Sequence, residues 1–256
     1  MRCAEKGDGM KIHILGAAGW IPGRNETSCV MVEEEDQLVL LDAGTGISNL
    51  RNCREISDRY DTVNLVLSHY HLDHTVGLIY LDPYVRGKHL RIFGPGKMAY
   101  SRSTEEYLHA LLRSEFFSRS IDRFSDDVRI ADFPGETFSI GKTVIQVSRQ
   151  IHSAPSFRIA VGGRLIYATD TAFDPLQWKD VYAPVLLHEC WDIRSSDSSR
   201  HTSLLQLKNE LPREQFGRIV LIHQNPAWDD SDRRTIAGLI SGTNIILAKD
   251  GMTLTV

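Results

Sequence analysis

The stretch Ser68-His69-Tyr70-His71-Leu72-Asp73-His74 sets three imidazoles and a carboxylate within a few positions of one another. All four are good ligands for zinc or a similar transition ion, through neutral ring nitrogens and an anionic oxygen. In an extended segment side chains alternate with period two, so His69 and His71 point the same way and could grip one ion. Asp73 and His74 follow where the chain turns into a helix, and the change of direction lets them face a second ion nearby. Two ions roughly 3.5–4 Å apart would polarise a water between them and clamp a phosphoryl or carbonyl group. A polar loop whose histidines only hydrogen-bond is the plainer alternative. Four ligand-type residues at this spacing, directly after a buried strand, weigh against it.

That strand, Val63 to Leu67, is rich in apolar residues, as strands covered on both faces are. It delivers the cluster to a loop at its C-terminal end. Before it, Lys11 to Leu15 reads as a short strand running into the turn Gly16-Ala17-Ala18-Gly19. Cys29 to Glu33 and Leu38 to Leu41 read as a hairpin joined by Glu34-Glu35-Asp36-Gln37. The second of these strands stops at Asp42-Ala43-Gly44, and a helix is predicted to follow through Ile56.

Further strands are predicted at Leu90 to Phe93, Val128 to Ile130, Thr143 to Val147, Arg158 to Val161 and Leu165 to Ala168. Val185 to His188, Ile219 to His223, Asn244 to Ala248 and Met252 to Val256 continue the series, with helices in parts of 100–118, 202–211 and 231–240. This pattern predicts an α/β fold: two mixed β-sheets packed together and flanked by helices.

With 256 residues, 42% hydrophobic and 24% charged, the chain can bury a sizeable core as one domain. Residues 1–9 are polar and expected to fray. The net charge of −4 gives no basic footprint for non-specific nucleic-acid binding. The local basic set Arg102, Arg113, Arg119 and Arg123 reads as a solvated helix face. No apolar run approaches the roughly 18 residues needed to span a bilayer, and no signal-peptide core is present. Cys3, Cys29, Cys53 and Cys190 form no CxxC pair, which argues against a disulfide scaffold or a cysteine zinc knuckle. A cytoplasmic protein is expected.

The His-x-His-x-Asp-His pattern after an apolar strand resembles the signature of the metallo-β-lactamase superfamily, and the resemblance covers nearly the whole chain. Asp42 before Ala43-Gly44 matches the early Asp-x-Gly element that braces the metal loop. His152, Asp170 and His223, each near the end of an apolar strand, match the superfamily's remaining ligands. The resemblance implies an αβ/βα sandwich with two divalent ions, zinc first and manganese the alternative. His69, His71 and His152 would hold one ion, and Asp73, His74 and His223 the other, with Asp170 as the bridge. Without the resemblance, Asp170 could equally cap a turn.

Three segments are similar to the ribonuclease Z branch: Arg24-Asn25-Glu26-Thr27-Ser28, Leu187-His188-Glu189-Cys190 and His201-Thr202-Ser203. The resemblance implies that Glu189 orients His201 and that His201 protonates the leaving group. The chemistry agrees, since an alkoxide leaves poorly at neutral pH, and a carboxylate neighbour is expected to raise the histidine's pKa. The plainer role for this motif is helix capping by Thr202 or Ser203.

The best-known β-lactamases place a cysteine where this chain has Asp170, and glyoxalase-type enzymes lack the Glu/His pair. Ribonuclease Z proper inserts a long tRNA-gripping arm between the counterparts of His152 and Asp170. Here Arg158 to Ala168 fills that interval as a hairpin turned by Gly162-Gly163. Trp20-Ile21-Pro22-Gly23 stands where phosphonate-pathway cyclic phosphodiesterases carry a zinc-binding cysteine cluster. Closer analogues are the branch's phosphodiesterases that open cyclic nucleotides, including those acting against cyclic-nucleotide immune signalling.

The expected activity is hydrolysis of a small or cyclic phosphodiester by a hydroxide formed on the ions. His201 and Glu189 would be the acid pair, and Asp73 an acceptor for the water's proton. An RNA-trimming nuclease and a metal-holding sensor without turnover are the rivals, and relatives suggest a homodimer. His13, His89, His109 and His188 read as structural, as do Tyr70 and Trp191 by packing in the core or at the rim. The serine-rich stretch Ser195 to Ser199 reads as a mobile loop.

Overall fold

The computed structural model describes residues 9–194 and 200–256. The terminus expected to fray lies outside these residues except for Gly9, and so does the serine-rich loop at 195–199. The first strands are β1 (Lys11–Gly16), β2 (Cys29–Glu34), β3 (Gln37–Leu41), β4 (Thr62–Val66), β5 (His89–Gly94) and β6 (Asp127–Asp132). They are followed by β7 (Thr137–Ile140), β8 (Thr143–Arg149), β9 (Phe157–Val161) and β10 (Leu165–Ala168). The chain ends with β11 (Ala183–Glu189), β12 (Phe216–Ile222), β13 (Ile245–Leu247) and β14 (Thr253–Thr255).

Two seven-stranded sheets result, in the orders β14-β1-β2-β3-β4-β5-β6 and β13-β12-β11-β10-β9-β8-β7. Both are mixed. β3 to β6 run parallel, as do β10 to β13; hairpins supply the antiparallel remainder apart from β14, which pairs antiparallel with β1 from the other end of the chain. The facing surfaces form the central core: Ile12, Val30, Val39 and Val66 from one sheet meet Ile159, Tyr167, Leu187 and Val220 from the other. On the outer faces, Leu40, Leu65 and Ile92 pack under Leu108 of the helix Thr104–Leu111. Leu186, Ile219 and Leu221 likewise pack under Leu207 and Ile236 of the helices Leu204–Asn209 and Asp230–Ile240. Burial on both faces explains why the central strands read as runs of apolar residues.

Two expectations change. The segment after Gly44 is mostly a tight 3₁₀ turn series, Thr45–Cys53, with only a short α-helix, Arg54–Ser57. β7 was not foreseen: Phe138 and Ile140 are its only apolar residues, and as an edge strand it is largely exposed. The Gly162-Gly163 hairpin forms as expected. Both glycines adopt left-handed φ (59° and 67°), as a type I′ turn between twisted strands requires. Among the described residues no helix is long and apolar enough to cross a membrane.

Candidate metal centre

The parallel strands of both sheets end at one edge of the sandwich, the usual ligand-binding edge of such sheets. Asp42 follows β3, the Ser68 to His74 loop follows β4, Asp170 follows β10, and His223 follows β12. Asp42, Asp170 and His223 all have left-handed φ, at 58°, 48° and 45°. Non-glycine residues are uncommon in that region and accumulate at functional sites, where surrounding structure must hold them.

The side chains at this edge converge. One group joins His69, His71, His152 and Asp170; a second joins Asp73, His74, Asp170 and His223, with the ligand atoms of each group within 4.8 Å of one another. Asp170 Oδ2 lies 3.2 Å from His69 Nε2, 2.7 Å from His74 Nε2 and 3.4 Å from His223 Nε2. His152 Nε2 lies 3.7 Å from Asp170 Oδ1 and 3.4 Å from His71 Nδ1. The structure thus brings together all seven side chains singled out from the sequence, and Asp170 and His223 also lie in a third group with Glu189 and His201.

A divalent metal fits this arrangement. His69 Nε2 and His74 Nε2 are buried, make no hydrogen bond of regular geometry and face the Asp170 carboxylate instead, so a cation set between the nitrogens and that carboxylate would satisfy both. Their other nitrogens are committed, His69 Nδ1 to Ser68 Oγ at 3.0 Å and His74 Nδ1 to Asp42 Oδ2 at 2.7 Å. A carboxylate on Nδ1 that leaves the Nε2 lone pair inward is how proteins orient histidine toward a metal. Asp42 also accepts from Ser68 N (2.6 Å), Ser68 Oγ (2.7 Å) and Tyr167 Oη (2.8 Å). This fully buried node ties the end of β3 to the loop after β4 and across the core to β10.

The charges favour a cation. Burial works to raise the Asp73 carboxyl, yet His74 and His223 hold it far below the ordinary carboxylate range. Asp170 is pulled down in the same way, against full burial, chiefly by His223 and His74. Burial would lower His74, but Asp73, Asp42 and Asp170 hold its imidazole well above its usual range.

The acid pair sits beside this cluster. Glu189 ends β11, and its Oε2 lies 2.8 Å from His201 Nδ1, which is itself 3.6 Å from Asp170 Oδ1. Thr171 N donates to the other oxygen, Glu189 Oε1. Thr202 and Ser203 do the capping work as well: Ser203 caps the helix Leu204–Asn209, and Thr202 Oγ1 donates to the Thr171 carbonyl. The expected upward shift of His201 is corrected, because burial pushes its imidazole down despite Asp170, Asp192 and Asp73. Burial likewise pushes the Glu189 carboxyl up, against the pull of His223. At both groups, loss of solvent outweighs the pull of the neighbouring charges.

These groups floor a cleft of about 210 Å³ walled by Trp20, Trp191 and Arg200. A larger cleft of about 330 Å³ lies around Arg158, Asp180 and Tyr182, but it holds none of the clustered histidines. The chemistry therefore assigns the smaller one. One wall residue, Trp20, went unrecognised as such in the sequence. Trp20, 67% exposed, donates its backbone N–H to Asp73 Oδ2 at 2.7 Å. It follows Gly19, where a Cβ would come within 2.3 Å of the His223 ring. Trp191, expected to pack, stacks on His201 and lines the cleft.

The residues read as structural are so placed. His13 bonds Glu33, His89 pairs with Asp127 and His109 with Asp122. His188 is buried against Trp178, and Tyr70 packs between Tyr100 and Tyr107. Arg113 and Arg119 pair with Glu115 and Asp82.

The family described as Anti-Pycsar protein Apyc1 matches residues 10–244. No curated protein matches the sequence. Among solved structures, the metallo-β-lactamase fold protein YhfI from Bacillus subtilis is 20% identical, with a TM-score of 0.73 over 97% of this chain and 100% of its own. A structure described as a new diphosphatase from the PhnP family is 15% identical, with a TM-score of 0.68 over 97% of each chain. The short form of human tRNase Z is 17% identical, with a TM-score of 0.65 over 95% of this chain and 98% of its own. The architecture is the metallo-β-lactamase αβ/βα sandwich.

Proposed function

Since the chain belongs to the Anti-Pycsar protein Apyc1 family, we propose that it is a metal-dependent phosphodiesterase acting on a small or cyclic phosphodiester, a cyclic nucleotide foremost. The observation that carries this reading is the Glu189–His201 pair set against Asp170, at the edge of a cluster that fits two cations. An acid beside such a cluster suits a substrate whose departing alkoxide needs a proton.

His69, His71 and His152 would hold one divalent ion and Asp73, His74 and His223 the other, with Asp170 shared. Zinc suits the donor set best, with manganese second. Such ions lower the pKa of a water toward about 7 and offset charge on the phosphoryl oxygens. The chain's own groups do the rest. Asp42 keeps the His74 ring and the Ser68 turn in place. Asp73, whose Oδ2 accepts from Trp20 N–H, would orient the attacking water; its carboxyl is held too low to keep the proton, which would pass on to solvent. Glu189 holds His201 at Nδ1; Nε2 would take a proton from solvent, and the resulting imidazolium would give it to the departing oxygen.

The walls support a small substrate. The interval between His152 and Asp170 is the short β9–β10 hairpin, leaving no arm for a folded RNA. The cleft is smaller than the roughly 300–1,000 Å³ that encloses a drug-sized ligand, which suits a phosphodiester with short ester arms. Trp20 presents an exposed face on which a nucleobase could stack. Cys29, Cys53 and Cys190 are free thiols, which supports a cytoplasmic location. A homodimer is the proposed assembly, to be checked by light scattering.

The test is a screen of the metal-reconstituted protein against 2′,3′- and 3′,5′-cyclic nucleotides, short structured RNAs and bis(p-nitrophenyl) phosphate. Turnover of a cyclic nucleotide well above RNA is expected. Preference for RNA overturns the small substrate. Two bound ions with no hydrolysis of any ester overturns the enzyme reading in favour of a sensor.

A further inference from the structure

The larger cleft, about 330 Å³ in volume, is bounded by β8, β9, β10 and the segment 180–182. Phe157, Ile159 and Val161 of β9 face the central core, so Arg158 and Ala160, which alternate with them, stand on the outer face and line the cleft. The Arg158 guanidinium is fixed there. Nε donates to Ser148 Oγ at 3.0 Å, and Nη1 donates to the Gln177 carbonyl at 2.9 Å. The buried Trp178 ring lies beneath it, 5.0 Å from centroid to Cζ, a cation–π contact. A guanidinium carries five N–H donors, so most remain after these two bonds, those of Nη2 among them.

What this arginine lacks is an acid. Arg59, Arg91 and Arg164 pair with the carboxylates of Glu33, Asp127 and Glu34. Burial alone lowers Arg158 from its ordinary value, and no carboxylate draws it back up. Ser148, Gln177 and Trp178 orient the charge without offsetting it. A half-buried cation so placed costs free energy until a counter-charge arrives. Asp180 lines the same cleft yet exerts no such pull on Arg158, so the two charges stand apart with space between them.

We propose that this cleft is a second ligand site, taking a small phosphate or carboxylate compound that also carries an ammonium or hydroxyl group. The anion sits against the free N–H edge of Arg158, whose planar fork suits two oxygens. The ammonium or hydroxyl faces Asp180, and Gln146 and Tyr182, which also line the cleft, offer further polar groups. The volume lies at the lower end of the roughly 300–1,000 Å³ of small-molecule sites, so the ligand is compact. A fixed guanidinium holds the anion here, and the inference stands independently of the phosphodiesterase reading.

The probes are phosphoethanolamine and β-alanine, which join an ammonium to a phosphate and to a carboxylate, with ethanolamine as the control without an anion. Calorimetric titration of the metal-reconstituted protein should give a Kd below about 1 mM for at least one probe and no binding of ethanolamine. Arg158→Gln should weaken binding about 10- to 100-fold, the scale of lost charge-assisted hydrogen bonds, and leave ester hydrolysis unchanged. Asp180→Asn should weaken it about 2- to 5-fold, and an unchanged affinity there overturns the ammonium or hydroxyl half of the proposal. His71→Ala, expected to lose the metal, should bind as the unsubstituted protein does. Binding that survives Arg158→Gln, binding lost in His71→Ala, or no binding of either anion overturns the site. A crystal structure of the unsubstituted protein with the tighter probe needs no variant to fold. It should place the anion within hydrogen-bond distance of Arg158, and an anion found only elsewhere overturns the proposal.

Discussion

The loop from His69 to His74 and the pair Glu189–His201 approach different oxygens of the same carboxylate, Asp170, the loop at Oδ2 and His201 at Oδ1, yet they are held by different means. The loop hangs on one fully buried node: Asp42 takes contacts from Ser68, His74 and Tyr167, joining three strands of two sheets. The acid pair has a firm half, Glu189 at the end of β11, and a looser half. His201 is carried by no regular element; Glu189 bonds its Nδ1, and the Trp191 and His223 rings lie 4.8 and 5.8 Å from its own. On the proposed reading, the groups that would keep a cation are built into the core, while the one that would exchange a proton in each turnover stands at the wall of the cleft.

Substitutions can break or sharpen that contrast. The largest effect is expected from the loop side: His71→Ala should abolish metal binding, read by elemental analysis, and bring hydrolysis below detection. On the acid side, His201→Ala should keep the metal and slow cleavage of a cyclic nucleotide by roughly 100- to 10,000-fold, the usual scale of acid catalysis. Full activity of that variant on an alkyl ester would remove His201 from its role. Next comes the node. Asp42→Ala leaves the buried His74 ring and the Ser68 turn without their acceptor, so unfolding free energy in urea should fall by about 3–5 kcal/mol. A change under about 1 kcal/mol would mean that the brace is weak.

The smallest effect concerns pH. Burial holds the His188 imidazole down at about 4, below the roughly 6.5 it has in an unfolded chain. The unfolded state therefore takes up this proton first. The stability His188 permits is complete above about pH 6.5 and is lost as pH falls toward 4, by roughly 3 kcal/mol in total. Urea midpoints of the parent and His188→Leu, compared at pH 7 and pH 4.5, should show the parent losing more stability on acidification. Parallel losses would place the acid sensitivity elsewhere.

Legibility in the sequence followed locality. The cluster at 69–74 could be read because its ligands are close in the chain and directly follow a strand, so period-two geometry already aims two of them together. The hairpin at Gly162-Gly163 was equally plain, since positive φ at adjacent residues calls for glycine. β7 was hidden because a mostly exposed edge strand of Thr137, Phe138, Ser139 and Ile140 has little apolar pattern. Trp20, Tyr167 and Trp191 carry no spacing signal. What they do depends on a backbone N–H, a hydroxyl reaching across the core, and a ring plane.

By itself the amino-acid order determined the alternation of strands and helices, the two-layer sheet architecture and the residue types able to bind a metal. Those properties arise from periodicity and side-chain chemistry along contiguous chain. Tertiary structure alone decided that Asp170 lies between two groups of histidines, that Asp42 serves both the loop and β10, and that burial sets the protonation tendencies of Glu189 and His201. These depend on distances and solvent exclusion between segments as far apart as residues 42, 170 and 223, which only the packing of one sheet against the other brings together.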